Sequence, residues 1–84
     1  MQVTVKYFAS IREVMGHSQE SIQTKALTVG QLKSELVAKG EPYATALASN
    51  KALRMALNQH LIIDPDTALS EACELAFFPP VTGG

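Results

Sequence analysis

Hydrophobic and polar residues alternate over the first seven positions of the chain, which begins MQVTVKY. Because successive side chains of a strand point to opposite sides of a sheet, this period of two predicts a β-strand with one buried face. The buried set consists of Val3, Val5 and Tyr7. The next residue, Phe8, then falls on the opposite face with the polar positions.

A helical spacing follows between Thr28 and Gly40. Thr28 and Gln31 stand three residues apart, which is the spacing of a capping box, and they predict the first turn of the main helix. The apolar residues that then line one helical face are Val29, Leu32 and Leu36. Gly40 is placed to end this helix.

Two shorter helices are predicted on either side of the main one. The first covers residues 9–15, and Gly16 can stop it in a left-handed conformation. Pro42 suits the first turn of the second, which extends to Leu47, because the N–H that proline lacks is not needed in that turn.

Four more strands complete the pattern and cover residues 20–24, 54–58, 60–63 and 73–78. Asp64-Pro65-Asp66 is a predicted turn, and Pro79-Pro80 ends the last strand because neither residue can donate to a sheet ladder. The order of elements predicts one α+β domain over residues 1–80. Its simplest form is a mixed sheet of about five strands packed on one main helix.

Composition narrows the possible functions. The 84 residues include 7 Lys+Arg and 8 Asp+Glu, so no basic excess exists to bind nucleic acid or an anionic membrane. One cysteine excludes a disulfide scaffold and a four-cysteine iron–sulfur cluster. His17 and His60 have no partner at metal-ligand spacing, so we expect no metal site. The sequence carries no long apolar run and no signal-peptide pattern, and a cytoplasmic location is expected.

The sequence ends in Val81-Thr82-Gly83-Gly84, which we expect to form a flexible tail. Pro79 and Pro80 favour an extended polyproline II conformation and hold this tail away from the domain. Gly83 and Gly84 lack Cβ atoms, so the tip fits a channel too narrow for other residues. Its carboxylate is ionised at neutral pH and is a poor acyl donor until a leaving group is installed. An adenylating enzyme could install one from ATP.

Three segments carry a family resemblance: YFASIREVMG (7–16), ALNQ (56–59) and LAFFPPVTGG (75–84). Through them the chain resembles the small, sulfur-carrying subunits of molybdopterin synthase, from the first strand to the last residue. The resemblance implies a ubiquitin-like β-grasp fold. One position departs from that family, in which a Gly-Asp-Glu turn usually precedes the last strand; this chain has Ala72-Cys73-Glu74.

The resemblance also implies a chemistry and two partners. A ubiquitin-activating-like adenylyltransferase would use Mg-ATP to adenylate Gly84, which is then converted to a thiocarboxylate, and the carrier binds no permanent cofactor. The tail would next enter the large synthase subunit, with Val81 and Thr82 extended along a groove and Gly83 permitting a close approach. Gly84 would give its sulfur to a cyclic pyranopterin monophosphate to build the molybdopterin dithiolene. A heterotetramer is implied, with the active site on the large subunit.

Strand parity adds a predicted partner-binding surface. In the last strand Phe78 lies on the face opposite the apolar set, so Phe8 and Phe78 each end an otherwise polar or small face. An exposed aromatic pair beside a reactive tail suits docking, and the alternative is that the sheet edge curls and buries both rings. By resemblance Leu61 joins this surface, and Arg12 could pair with acidic residues of a partner or simply be solvated. Cys73 is predicted to be a small buried thiol rather than a nucleophile.

Other functions could use the same tail. A sulfur carrier for thiamine thiazole or another product needs the same flexible glycine tip, and only the diprolyl-valyl ending favours molybdopterin, by resemblance. A ubiquitin-like modifier would instead join Gly84 to protein lysines through isopeptide bonds. A plain structural domain would be indifferent to the loss of Gly84.

Overall fold

The computed structural model describes residues 1–48 and 53–80. The elements in chain order are β1 (Gln2–Tyr7), α1 (Ala9–Met15), β2 (Gln19–Gln23), α2 (Val29–Val37), a π-helical turn (Ala44–Ala48), β3 (Arg54–Leu57), β4 (His60–Ile62) and β5 (Cys73–Phe78). This is the predicted order, and α1 and β5 have the predicted bounds. The strands β2, β3 and β4 differ from prediction by one residue at one or both ends.

The five strands form one mixed sheet in the order β2-β1-β5-β3-β4. β1 and β5 run parallel at its centre, and every other neighbouring pair is antiparallel. The first and last strands of the described chain are therefore hydrogen-bonded neighbours. The sheet packs through one face on α2, as predicted from the helical spacing of Val29, Leu32 and Leu36, each of which is fully buried.

The buried face of the two central strands follows the predicted parity. The inward side chains, all at most 2% exposed, are Val3, Val5, Tyr7, Cys73, Leu75 and Phe77. Burial of such apolar area is the main stabilising contribution to the fold. Cys73 is a free, buried thiol, as predicted.

One end of each α-helix is set by a residue that the sequence singled out, whereas α2 ends at Val37, with Ala38 as its C-cap, before the predicted stop at Gly40. Gly16 takes φ 84° after α1, and its N–H donates to the Arg12 carbonyl at 2.9 Å. At the start of α2 the Thr28 hydroxyl accepts from the Gln31 N–H at 3.2 Å. The reciprocal bond differs from the predicted capping box, because the Gln31 side chain accepts from the Leu27 N–H, at 2.8 Å, instead of from Thr28.

The second short helix differs from its prediction. It is a π-helical turn that begins at Ala44 instead of Pro42 and ends at Ala48 instead of Leu47. Pro42 lies in the preceding turn, where its carbonyl accepts from the Ala46 N–H at 3.0 Å. Ala46 and Leu47 are both buried in the core. Their burial sets the position of this turn, and the proline preference on which the prediction relied is secondary.

Two turns place non-glycine residues in the left-handed region. Asn58 and Gln59, with φ 49° and 69°, form the two-residue loop of the β3–β4 hairpin, as expected for its favoured turn type. Ala72, the residue at which the sequence departs from the family that it resembles, has φ 61°. The turn still forms, since the Ala72 N–H donates to the Gln2 carbonyl at 2.9 Å. The left-handed backbone costs an alanine about 1–2 kcal/mol.

Candidate docking site at the ends of the central strands

Two aromatic pairs lie at the ends of β1 and β5. In the parallel register Tyr7 stands opposite Phe77, and the Phe8 N–H continues the ladder by donating to the Phe77 carbonyl at 3.1 Å. Phe8 and Phe78 are thus the next pair along. We call Tyr7 and Phe77 the inner aromatic pair, and Phe8 and Phe78 the outer aromatic pair.

The inner aromatic pair fixes the geometry of this end of the sheet. The two rings are stacked with centroids 6.3 Å apart and planes 12° from parallel, and both are buried. Because alternate side chains point to opposite faces, burial of Tyr7 and Phe77 turns Phe8 and Phe78 outward. Phe8 is 47% exposed and Phe78 is half-buried, so the sheet edge does not curl to bury both rings.

The outer face continues across β3 to the free edge at β4. Arg54 is the partner of Phe78, and Ala56 stands between Ala76 on one side and Leu61 on the other. Leu61 is 62% exposed. Sequence parity did not assign a face to Leu61, and the register assigns it to the face of the outer aromatic pair.

Arg12 lies close to the same end of the sheet. It is exposed on α1, and its N–H donates to the Phe8 carbonyl at 3.3 Å, one helical turn earlier. The four predicted partner-binding residues therefore share one end or one face of the domain. That they bind a partner stays a prediction.

An ion pair lies on the outer face of β1 and β5, between Lys6 and Glu74. The Lys6 ammonium is 3.0 Å from the Glu74 carboxylate, and both side chains are about one-third exposed. Such a pair contributes little to stability. It cancels its own charge, so the centre of this face carries no net charge from Lys6 and Glu74.

The predicted tail begins directly after this site. Pro79 and Pro80 follow Phe78, are partly buried and form no strand. Val81, Thr82, Gly83 and Gly84 lie outside the described residues. Their roles in the tail stay predictions.

A carboxylate joins β1, β2 and two connecting segments beside the inner aromatic pair. Glu20 accepts hydrogen bonds from the Tyr7 hydroxyl at 2.7 Å and the Tyr43 hydroxyl at 2.9 Å, and the His17 Nε2 lies 3.1 Å from it. We call these four residues the Glu20 cluster. Because a buried tyrosine hydroxyl needs a partner, the predicted burial of Tyr7 was a signal that one exists. Its identity could not be predicted from the sequence.

Burial and hydrogen bonding shift the pKa values in this cluster. Burial, followed by the hydrogen bond to Glu20, raises the pKa of Tyr7 far above its ordinary value. The same two causes raise the pKa of Tyr43. For Glu20, partial burial by itself raises the pKa, but the hydrogen bonds from Tyr7, His17 and Tyr43 outweigh it and the pKa is lowered. The cluster therefore holds an ionised carboxylate between protonated tyrosines at neutral pH.

Within residues 1–48 and 53–80, no three His, Cys, Asp or Glu side chains are grouped so that they could hold a metal ion. The Asp64 carboxylate accepts from the Asp66 N–H at 2.9 Å, which is the predicted turn. In the same part of the chain, no helix has the length and apolar character needed to cross a bilayer.

These features define a small mixed-sheet domain whose last strand leads into a glycine-ended segment, and the comparisons identify the class as the β-grasp sulfur carriers. A model of the ThiS family matches residues 5–84. The molybdopterin synthase sulfur carrier subunit of Escherichia coli (strain K12) is 38% identical over 82 residues, which are 98% of this chain and 99% of that protein. The chain belongs to the ThiS family.

Solved structures support the same fold. Small archaeal modifier protein 1 of H. volcanii is 26% identical, with a TM-score of 0.75 over 95% of this chain and 98% of that one. The complex of subunits 1 and 2 of the molybdopterin-converting factor from Helicobacter pylori 26695 has a chain 26% identical, with a TM-score of 0.72 and full coverage of both chains. The predicted ubiquitin-like β-grasp fold is confirmed.

Proposed function

We propose that this chain is the sulfur-carrier subunit of a molybdopterin synthase and acts in the cytoplasm. The observation that carries the proposal is the similarity, over 98% of the chain, to a subunit of that name. The structure of the relative from Helicobacter pylori with a second subunit supports a large-subunit partner. The outer aromatic pair, at the point where the chain leaves the sheet, supports docking there.

In the proposed reaction the domain supplies no catalytic side chain, and its chemistry is carried by the carboxylate of Gly84. An adenylyltransferase partner uses Mg-ATP, and the carboxylate attacks the α-phosphate and releases pyrophosphate. Hydrosulfide then attacks the carbonyl carbon of the acyl-adenylate, AMP leaves, and loss of the sulfur-bound proton gives a thiocarboxylate. Adenylation is needed because a carboxylate by itself has no good leaving group.

The loaded tail then enters the large subunit. Val81 and Thr82 lie extended along its groove with backbone hydrogen bonds, and Gly83 allows a close approach. Thiocarboxylate sulfur passes from Gly84 to a cyclic pyranopterin monophosphate, and the carboxylate is regenerated after hydrolysis of the acyl group. Two such transfers supply the two sulfurs of a dithiolene.

Intact mass measurement tests the proposal directly. After incubation with the activating enzyme, Mg-ATP and a sulfide source, the chain should gain the mass of one sulfur less one oxygen. Addition of the precursor and the large subunit should reverse the gain. A variant without Gly84 is the control and should stay unmodified. An unchanged mass for the full chain would contradict the proposal.

A second candidate function is protein modification, favoured by the likeness to small archaeal modifier protein 1. It predicts lysine adducts in cell extract that depend on Gly84 and ATP. Their appearance without any thiocarboxylate would favour the modifier. A thiocarboxylate that supports thiazole formation instead of molybdopterin would leave the carrier chemistry intact and change only the acceptor.

A further inference from the structure

Two apolar side chains stand open to solvent at the free edge of the sheet. Leu61 in β4 is 62% exposed, and Ile63, one residue past the end of β4, is 90% exposed. Ile62 between them packs against the core. An isoleucine this exposed contributes almost no burial to the fold, and adjacent exposed apolar groups are typical of interaction surfaces.

The strand register relates Ile63 to the outer aromatic pair. Met55 pairs with Ile62 across the hairpin, so the next position along places Arg54 beside Ile63. Arg54 also pairs with Phe78. A row of side chains on neighbouring strands therefore runs from the outer aromatic pair through Arg54 to Ile63. Phe78 and Ile63 are two strand spacings apart, which is roughly 10 Å.

A shallow cavity lies at this end of the row, with a volume of about 380 Å³. Its lining residues are Leu53, Arg54, Met55, Leu61, Ile62 and Ile63. Five of the six are apolar, so the cavity fits an apolar side chain of another molecule better than a charged ligand.

The tail limits where a partner can sit. The four residues beyond Pro80 span at most about 14 Å when extended. A partner that receives Gly84 in an enclosed site must therefore cover the end of the sheet from which the tail departs. A standard interface buries about 800 Å² on each protein, which is a disc of roughly 16 Å radius. Centred on Phe78, such a footprint reaches Ile63.

We propose that Ile63, next to the already predicted Leu61, forms a second anchor for the large subunit, with an apolar side chain of that subunit seated in the cavity beside it. This inference rests on the proposed function, since it assigns a further contact to the same partner. It extends the predicted surface of Phe8, Phe78, Leu61 and Arg12 by a residue that strand parity had not selected.

Titration calorimetry with the purified large subunit tests the anchor. Ile63→Ser should weaken binding by about tenfold or more, because an isoleucine buried only at the interface is lost. Leu27→Ser is the matched control: Leu27 is 65% exposed and lies toward the opposite end of the sheet, where Gln23 pairs with Gln2. It should change the affinity by no more than about twofold.

The remaining outcomes separate the two proposals. If Ile63→Ser binds like the unchanged chain while Phe78→Ala binds more weakly, the second anchor is wrong and the proposed function stands. If the unchanged chain does not bind the large subunit, both fail. Sedimentation equilibrium of the carrier alone tests whether a second copy of this chain binds the surface instead. A dimer that Ile63→Ser abolishes would assign the surface to a second copy and overturn the inference.

Discussion

The inner and outer aromatic pairs occupy the same strand ends and have opposite environments. Tyr7 and Phe77 are at most 1% exposed, whereas Phe8 is 47% exposed and Phe78 is half-buried. Each outer residue directly follows an inner one in the chain. A shift of one position along a strand thus separates a side chain that stabilises the fold from one available to a partner.

The largest expected effect is on stability and separates the two phenylalanines of β5. Phe77→Ala should lower the free energy of unfolding by about 3–5 kcal/mol, because it leaves a cavity in the core. A domain of this size has only about 4–13 kcal/mol in total. Phe78→Ala should cost about 1 kcal/mol, since its ring is only partly buried. Urea denaturation measures both, and equal costs would remove the distinction between the pairs.

The reciprocal measurement is affinity for the large subunit. Phe78→Ala should weaken binding by about tenfold or more, because hot-spot aromatics lose their buried contact area when truncated. Leu27→Ala, an exposed leucine toward the other end of the sheet, should leave the affinity within about twofold of the unchanged chain. A Phe78→Ala variant with unchanged affinity would show that the outer aromatic pair is not a docking element.

The Glu20 cluster tests whether the inner side can be weakened without affecting the outer side. Glu20→Gln should lower the free energy of unfolding by about 1.5–3 kcal/mol, because the Tyr7 and Tyr43 hydroxyls lose a charged acceptor and keep only one neutral carbonyl oxygen. Affinity for the large subunit should not change while the variant stays folded. A parallel loss of affinity would indicate that the two faces are coupled.

The same variant makes a prediction for acid pH. The pKa of Glu20 is lowered in the fold, so its contribution to stability is present above the unfolded-state value of about 4.3 and is lost as the pH falls through the folded value. The difference in the free energy of unfolding between the unchanged chain and Glu20→Gln should be largest at pH 7 and should disappear as the pH falls below about 4. Urea midpoints across this range measure it, and a difference that widens in acid would contradict the sign.

Alkaline pH should lower the free energy of unfolding through Tyr7 of the inner aromatic pair. The pKa of Tyr7 is raised by burial and by its bond to Glu20, so its contribution is present below about pH 10 and is lost as the pH rises toward the folded value. Above pH 10 this tyrosine should lower the free energy of unfolding by about 1.4 kcal/mol for each pH unit. Unfolding midpoints of the unchanged chain and of Tyr7→Phe compare the slopes, and identical slopes would exclude Tyr7 as the cause.

The smallest expected change lies at the opposite end of β5 and should leave both aromatic pairs as they are. Ala72→Gly should raise stability by about 1 kcal/mol, because glycine adopts φ 61° without steric cost. Ala38→Gly is the matched control, since Ala38 has φ -66° and should lose about 0.5–1 kcal/mol. A loss of stability at both positions would contradict the assignment of strain to Ala72.

Most of the fold could be predicted because local patterns agree with the final packing. The alternation around Val5 and the exact bounds of β5 follow from a period of two that burial enforces on both strands. The turn at 42–48 could not be predicted in the same way. Its position depends on the contacts of Ala46 and Leu47 with the core, and these are tertiary interactions.

In the candidate site, too, the residues set by local alternation could be predicted and those set by tertiary contacts could not. Parity assigned Phe8 and Phe78 to the outer face, but whether the sheet edge curls to bury both rings was decided only by the structure. Parity could not assign Ile63, because the run HLII has no alternation and the hairpin register decides which side chain faces water. The Glu20 cluster was also beyond prediction, since Tyr43 approaches Glu20 from 23 positions away in the sequence.

The parallel pairing of β1 with β5 has a consequence for biosynthesis. The ladder between residues 3–7 and 73–77 cannot assemble until almost the whole chain has left the ribosome. A polypeptide that stops before β5 therefore lacks the strand that joins β1 to β3 in the sheet, and it also lacks Phe77 and Phe78. Assembly of the sheet therefore waits for β5, the last strand in the chain order.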